Sequence, residues 1–149
     1  MQVSRPDIFK EHKRSPKKLW LDKNENMDPL QAAFVKSVCD DINPLMTRIR
    51  PSAIINITGG GFRNLERIPH NFTYDIKYEV TQEIFKDIET SFTHKELYSI
   101  FNMGIGMMVI VKPKDRHVAL SMMNGSKVIG SVRKTLFTSS VIVNGEVVN

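Results

Sequence analysis

From Phe72 to Val80, apolar and polar side chains alternate without a break. Phe72, Tyr74, Ile76, Tyr78 and Val80 fall on one side, and Thr73, Asp75, Lys77 and Glu79 on the other. Only an extended chain puts every second residue on one face, so the stretch predicts a β-strand with one buried and one exposed side. A strand needs neighbours to satisfy its backbone. Candidates are Ala53–Ile57, Ile105–Val111, Lys127–Val132, and a C-terminal hairpin of Ser140–Val143 and Glu146–Val148 around Asn144-Gly145.

Between these strands the apolar spacing turns helical. Asp28-Pro29 suits a helix start, and Leu30, Phe34, Val35, Val38 and Ile42 share one face. Asn43-Pro44 is expected to break this helix, with a short turn following to Arg50. Phe62, Leu65 and Ile68 predict a short helix stopped by Pro69. Ile84, Phe85, Ile88 and Phe92 predict another. Thr93 and Glu96 form a capping-box pattern ahead of Leu97, Ile100 and Phe101, with Gly104 as the left-handed cap. Asp115–Met123 reads as helical, closed by Gly125. There is no internal repeat. Strands alternating with helices predict an α/β domain, a layered mixed β-sheet packed with helices, over residues 28–149.

At 149 residues and 41% hydrophobic, the chain can bury a real core in one domain. No apolar run reaches the roughly 18 residues that span a bilayer. Met1 is followed by polar residues, and the single Cys39 cannot form an internal disulfide. These features suit a cytoplasmic, reducing compartment and no membrane partner. The net charge of +5 is concentrated at the N-terminus. Residues 1–27 hold Arg5, Lys10, Lys13, Arg14, Lys17, Lys18 and Lys23 against Asp7, Glu11, Asp22 and Glu25. That segment has no regular basic stripe and too few aromatics for base stacking. It reads as a basic tail or linker, docking through Leu19, Trp20 and Leu21, rather than as a nucleic-acid arm.

Chemistry concentrates elsewhere. "INITGGGFRNLERI", Ile55–Ile68, places Thr58, Gly59, Gly60 and Gly61 between a strand end and a helix start. Bare backbone N–H groups there suit an anion such as phosphate. Equally, the glycines could serve only tight strand–helix packing. No Lys-Ser/Thr follows as in a Walker A loop, and the spacing is not G-x-G-x-x-G. For metals the chain offers little. His12, His70, His94 and His117 are scattered, Asp40 and Asp41 diverge on a helix, and no acidic cluster has ligand spacing.

A second stretch, "FNMGIGMMVIV", Phe101–Val111, runs from a helix end into a strand. With "ITGGGFRNLERI" it resembles the phosphoribosylformylglycinamidine cyclo-ligase (aminoimidazole ribonucleotide synthetase) family. The C-terminal domain of that family carries both motifs in this order and spacing, and "KVIGSV", Lys127–Val132, is similar to its final strand. The resemblance covers about residues 28–149. It implies an ATP-dependent reaction that activates an amide oxygen and closes an imidazole ring. Family members are more than twice this length, and the N-terminal domain holding their ATP and magnesium sites has no match here. A histidine usually precedes I-T-G-G-G in the family, where this chain has Asn56. An asparagine cannot take a histidine's part in proton transfer.

The resemblance implies that Thr58–Gly61 hold the phosphate of formylglycinamidine ribonucleotide or a similar ribose phosphate. It implies that Asn56, Asn102, Met103 and Gly104 shape the cleft. No cofactor is expected in this chain alone; ATP and magnesium belong with an ATP-binding partner chain, and no catalytic residue is assigned. On this reading the chain is the substrate-side part of a split or shortened ligase, inactive alone. The alternative is a stand-alone, non-catalytic domain binding a phosphorylated metabolite or a protein. Met103, Met107 and Met108 crowd one corner, where an exposed patch would favour self-association or pairing with that partner chain.

Overall fold

A computed structural model describes residues 29–69 and 71–149. The N-terminal segment, Asp28 and His70 lie outside the described residues, as do the expectations attached to them. The chain divides into two compact units.

One unit contains Ala53–Ile110 and Val128–Asn149. Its strands are β1 (Ala53–Asn56), β2 (Phe72–Ile76), β3 (Met107–Ile110), β4 (Gly130–Lys134), β5 (Ser140–Val143) and β6 (Glu146–Val147). Its helices are a 3-10 helix (Gly61–Arg67), α2 (Glu83–Glu89) and α3 (His94–Ile100). The class is α/β, with the strands in two sheets rather than one. β1 and β3 form an antiparallel pair, with Asn56 opposite Met107 and Ile55 opposite Met108. The other four strands lie in the order β4-β2-β5-β6. That sheet is mixed: β2 runs antiparallel to β4 and parallel to β5, and β5 and β6 form the hairpin. Asn144 and Gly145 both have positive φ, at 52° and 93°, as a two-residue hairpin turn matching strand twist demands.

The alternation that begins at Phe72 works as expected at the centre of this sheet. Tyr74 and Ile76 are buried, with Val141 and Val143 beside them in register. Phe62 and Leu65 of the 3-10 helix, Leu97 and Tyr98 of α3, and Ile55, Ile57, Met103 and Met108 complete one core. Phe62 and Tyr98 meet edge to face, ring centroids 5.1 Å apart. Burying side chains of this size contributes roughly 1.5–3 kcal/mol each. The capping box forms: Thr93 N–H donates to Glu96 Oε2 at 2.8 Å, and Glu96 N–H donates to Thr93 Oγ1.

The ladder of β2 stops at Ile76, short of Val80. Lys77 N–H still donates to Ile129 O at 2.7 Å, and beyond it the side chain of Asn144 replaces a strand. Asn144 Oδ1 accepts from Tyr78 N–H and its Nδ2 donates to Tyr78 O, both at 2.9 Å. The strand expected at Lys127–Val132 is shifted, since pairing covers Gly130–Lys134. Gly130 explains the placement: a Cβ there would overlap the carbonyl of Asp75, so the glycine permits close approach to β2.

The second unit includes described residues up to Ser52 and Val111–Lys127. α1 spans Pro29–Arg48 and packs with α4 (Arg116–Met122), which follows a short 3-10 turn at Pro113–Asp115. The expected break at Asn43-Pro44 does not occur, and the helix continues through Pro44. Proline removes one helical donor, but Ile42 and Leu45 are both buried on either side of it, and Ile49 N–H donates to Leu45 O at 2.9 Å. Burial of the continuing apolar face offsets the lost bond. Among the described residues no helix is long and apolar enough to cross a membrane.

One core group lacks a partner. The Tyr74 hydroxyl is buried without a hydrogen bond, and burial pushes its pKa up to about 12. A raised folded-state pKa gives stability that is complete below the ordinary tyrosine value of 10 and lost as pH rises toward 12. Tyr74→Phe removes the orphaned hydroxyl. It should raise stability by about 1 kcal/mol at neutral pH and flatten the fall between pH 10 and 12, as urea unfolding at a series of pH values would show.

Candidate functional site

The glycine loop leaves β1 and turns directly into the 3-10 helix. Thr58, Gly59 and Gly60 are exposed, while Gly61 is buried. Gly60 and Gly61 hold positive φ, 92° and 52°. The glycines separate into two kinds. A Cβ on Gly61 would overlap the carbonyl oxygens of Tyr98 and Phe101, so this glycine is required for packing against the end of α3. A Cβ on Gly59 would meet nothing, and one on Gly60 would meet only Asn64 Nδ2 at 3.9 Å. The packing reading therefore holds for Gly61, while Gly59 and Gly60 have no packing need for a bare Cα.

The side chain of Asn64 organises this loop. Its Nδ2 donates toward Gly61 O at 2.5 Å, Thr58 O at 3.3 Å and Gly59 O at 3.4 Å. Thr58 O also accepts from Gly61 N–H at 3.0 Å, and Gly60 O accepts from Arg63 N–H at 3.1 Å. Every carbonyl of Thr58–Gly61 is thus turned to an internal donor. No hydrogen bond among the described residues uses the N–H of Gly59 or Gly60. The loop presents donors outward and keeps its acceptors inside, which is the polarity an anion requires. The helix that follows has only seven residues and is 3-10, so its dipole adds little and the loop itself supplies the field.

The second motif lies beside the first. Ile57 N–H donates to Gly106 O at 3.0 Å, continuing the β1–β3 pairing. Asn102 Oδ1 accepts from Gly104 N–H at 3.1 Å, and Asn102 O accepts from Ile105 N–H at 2.9 Å. Met103 and Gly104 have φ of 50° and 82°. Such a conformation is strained for methionine. It is held because the Met103 side chain is buried and the buried Tyr78 hydroxyl donates to Met103 O at 2.9 Å. Gly104 does not end α3, which stops at Ile100. It lies in the turn beyond, where a Cβ would overlap the Gln82 amide.

The site residues expected from sequence are thus gathered in one unit. Asn56 ends β1 opposite Met107, with its Oδ1 buried and unpartnered. Thr58–Gly60 form the exposed turn, and Asn102–Gly104 the neighbouring loop. Met103 serves through its backbone, since its side chain is core. Met108 is also buried and Met107 half-buried, so little methionine surface remains exposed at this corner. Asn64, Tyr78 and Gln82 support the site without a role assigned to them from sequence. Asn64 carried a signal, as an asparagine inside an otherwise amphipathic helical pattern directly after the glycines. His94 is half-buried with its ring 4.7 Å from that of Tyr98. Among the described residues no group of three or more His, Cys, Asp or Glu side chains is placed to hold a metal ion.

Fold and site define an α/β domain whose glycine loop offers backbone donors beside a second, left-handed loop. No family model matches the chain. Among curated proteins it is similar to phosphoribosylformylglycinamidine cyclo-ligases. That of Lactococcus lactis is 29% identical over 128 residues, taking in 76% of this chain and 37% of the relative. That of Streptococcus uberis is 39% identical over 90 residues, 55% of this chain and 25% of the relative. That of Sulfurisphaera tokodaii is 44% identical over 71 residues, 47% of this chain and 21% of the relative. The resemblance drawn from the two glycine-bearing motifs holds, and the chain spans between 21% and 37% of these relatives.

The two kinds of glycine predict opposite responses. Gly61→Ala should destabilise the domain by about 2–4 kcal/mol, through positive φ and overlap with backbone carbonyls. Gly59→Ala should stay within about 0.5 kcal/mol. Urea unfolding of the two variants checks the contrast.

Proposed function

We propose that this chain is the substrate-side part of a phosphoribosylformylglycinamidine cyclo-ligase-like protein of purine biosynthesis, working in the cytoplasm. The observation that carries the proposal is the polarity of the Thr58–Gly61 loop. Its carbonyls are held inside by Asn64 and, at Gly60, by the Arg63 N–H, and the N–H groups of Gly59 and Gly60 are left to the open side.

In this reading the ribose phosphate of formylglycinamidine ribonucleotide rests on those two N–H groups, and the exposed Thr58 hydroxyl adds a third donor. Asn56 offers an unpartnered amide oxygen, which can accept a hydrogen bond but cannot shuttle a proton. Asn102–Gly104 form the wall beside the loop. ATP and magnesium are supplied by an ATP-binding partner chain, which brings the triphosphate and the phosphoryl transfer that activates the amide.

Isothermal titration of the chain with formylglycinamidine ribonucleotide should show binding. Gly60→Val should weaken it at least about tenfold, or ~1.4 kcal/mol, because the side chain fills the anion's place. Circular dichroism should show the variant folded. Equal affinity in the two proteins would leave the loop a purely structural element. Binding of unrelated phosphorylated metabolites with equal affinity would favour the stand-alone binding domain. The chain alone should make no aminoimidazole ribonucleotide from ATP and substrate; unaided ring closure would contradict the split assignment.

A further inference from the structure

Of the asparagines in the chain, only Asn124 and Asn144 are followed by glycine. An asparagine in that setting can modify itself. The backbone nitrogen of the next residue can attack the side-chain carbonyl carbon, and glycine has no Cβ to hinder the approach. In sequence the two pairs look alike, but the fold treats them differently.

Asn144 is held at both ends of its amide. Its Oδ1 accepts from Tyr78 N–H and its Nδ2 donates to Tyr78 O, both at 2.9 Å. Its backbone is fixed as well: Asn144 N–H donates to Ile76 O at 2.8 Å, and Val143 pairs with Glu146 across the turn. To swing its amide carbon toward the Gly145 nitrogen, the side chain must first break both bonds to Tyr78. Such opening is rare where the partners belong to a core, and Tyr78 and Val143 are buried. Asn124 has no such restraint. It lies in the turn after α4, closed by a bond from Ser126 N–H to Met123 O at 3.1 Å. Asn124 and Gly125 are both exposed, and no hydrogen bond among the described residues engages the Asn124 side chain or the Gly125 N–H. A Cβ on Gly125 would meet nothing, so the turn has room to move.

We propose that Asn124 is a site of spontaneous covalent modification, and that the clamp on Tyr78 keeps Asn144 as the amide. At Asn124 the Gly125 nitrogen gives its proton to solvent base and attacks Cγ. A C–N bond forms, the Cγ–Nδ2 bond breaks, and ammonia leaves with a proton from water. The product is a five-membered cyclic imide. Water opens it at either carbonyl, leaving aspartate or isoaspartate. In sum, an amide and a water become a carboxylate and ammonium, with no oxidant, cofactor or second protein involved. The turn gains a negative charge, and in the isoaspartyl form its backbone runs through an extra methylene. The same change at Asn144 would set a carboxylate, which has no donor, against Tyr78 O. That would undo the support Tyr78 gives to Met103 O. The clamp therefore protects the second loop chemically as well as holding it in place. None of this rests on the proposed ligand.

Incubation of the full chain at neutral and mildly alkaline pH, followed by peptide mapping with mass spectrometry, tests both halves of the proposal. The peptide carrying Asn124 should gain the mass of an amide-to-acid exchange, faster at alkaline pH, and should separate into aspartyl and isoaspartyl forms on chromatography. The peptide carrying Asn144 should convert at least about tenfold more slowly, because two hydrogen bonds must open first. In denaturing urea, where the clamp is gone, the two should convert at similar rates. Asn124→Gln should abolish the fast conversion and leave the rate at Asn144 unchanged. Equal rates in the folded chain, faster conversion at Asn144, or a contrast just as large in urea would each overturn the proposal.

Discussion

One amide nitrogen sets the character of the glycine loop. Asn64 Nδ2 gathers the carbonyls of Thr58, Gly59 and Gly61 on one side, and only because they turn inward can the neighbouring N–H groups turn outward. A charged side chain could bring opposite charge to an anion, but a neutral amide that absorbs three acceptors changes the polarity of the backbone itself. Asn64 is 2% exposed and sits between the buried Phe62 and Leu65 of the 3-10 helix, so the core holds the amide in place. Packing and site electrostatics here are one arrangement.

A chain of similar dependence supports the second loop. The Asn144-Gly145 turn places the Asn144 side chain where a strand neighbour would be, and its two bonds extend β2 by proxy to Tyr78. Tyr78 is thereby positioned to hold the strained Met103 carbonyl. Burial raises the pKa of this phenol above its ordinary value, which favours the protonated, hydrogen-bond-donating form. A turn at the C-terminus thus determines the backbone path of a motif some forty residues earlier in the chain.

Much of this was legible in the sequence where the signal is periodic or local. The alternation after Phe72, the Thr93–Glu96 capping box and the Asn144-Gly145 turn each specify their structure through nearby residues. What was not legible depends on partners distant in sequence. The end of β2 is decided by Asn144, and the start of β4 by how closely Gly130 can approach Asp75. At Pro44 the local helix-breaking rule is outweighed by burial of Ile42 and Leu45. Glycines 59 to 61 looked alike in sequence. They differ only because Gly61 meets the end of α3, a contact that no spacing reveals.

The central claim is that Gly59 and Gly60 present their N–H groups to a phosphate because Asn64 withdraws the carbonyls. The most direct measurement is a titration of nitrogen-15-labelled chain with formylglycinamidine ribonucleotide, following backbone amides by NMR. The account predicts that the Gly59 and Gly60 signals move downfield and saturate together, with those of Asn102–Gly104 shifting less. Binding that perturbs other residues while the Gly59 and Gly60 amides stay still would contradict it.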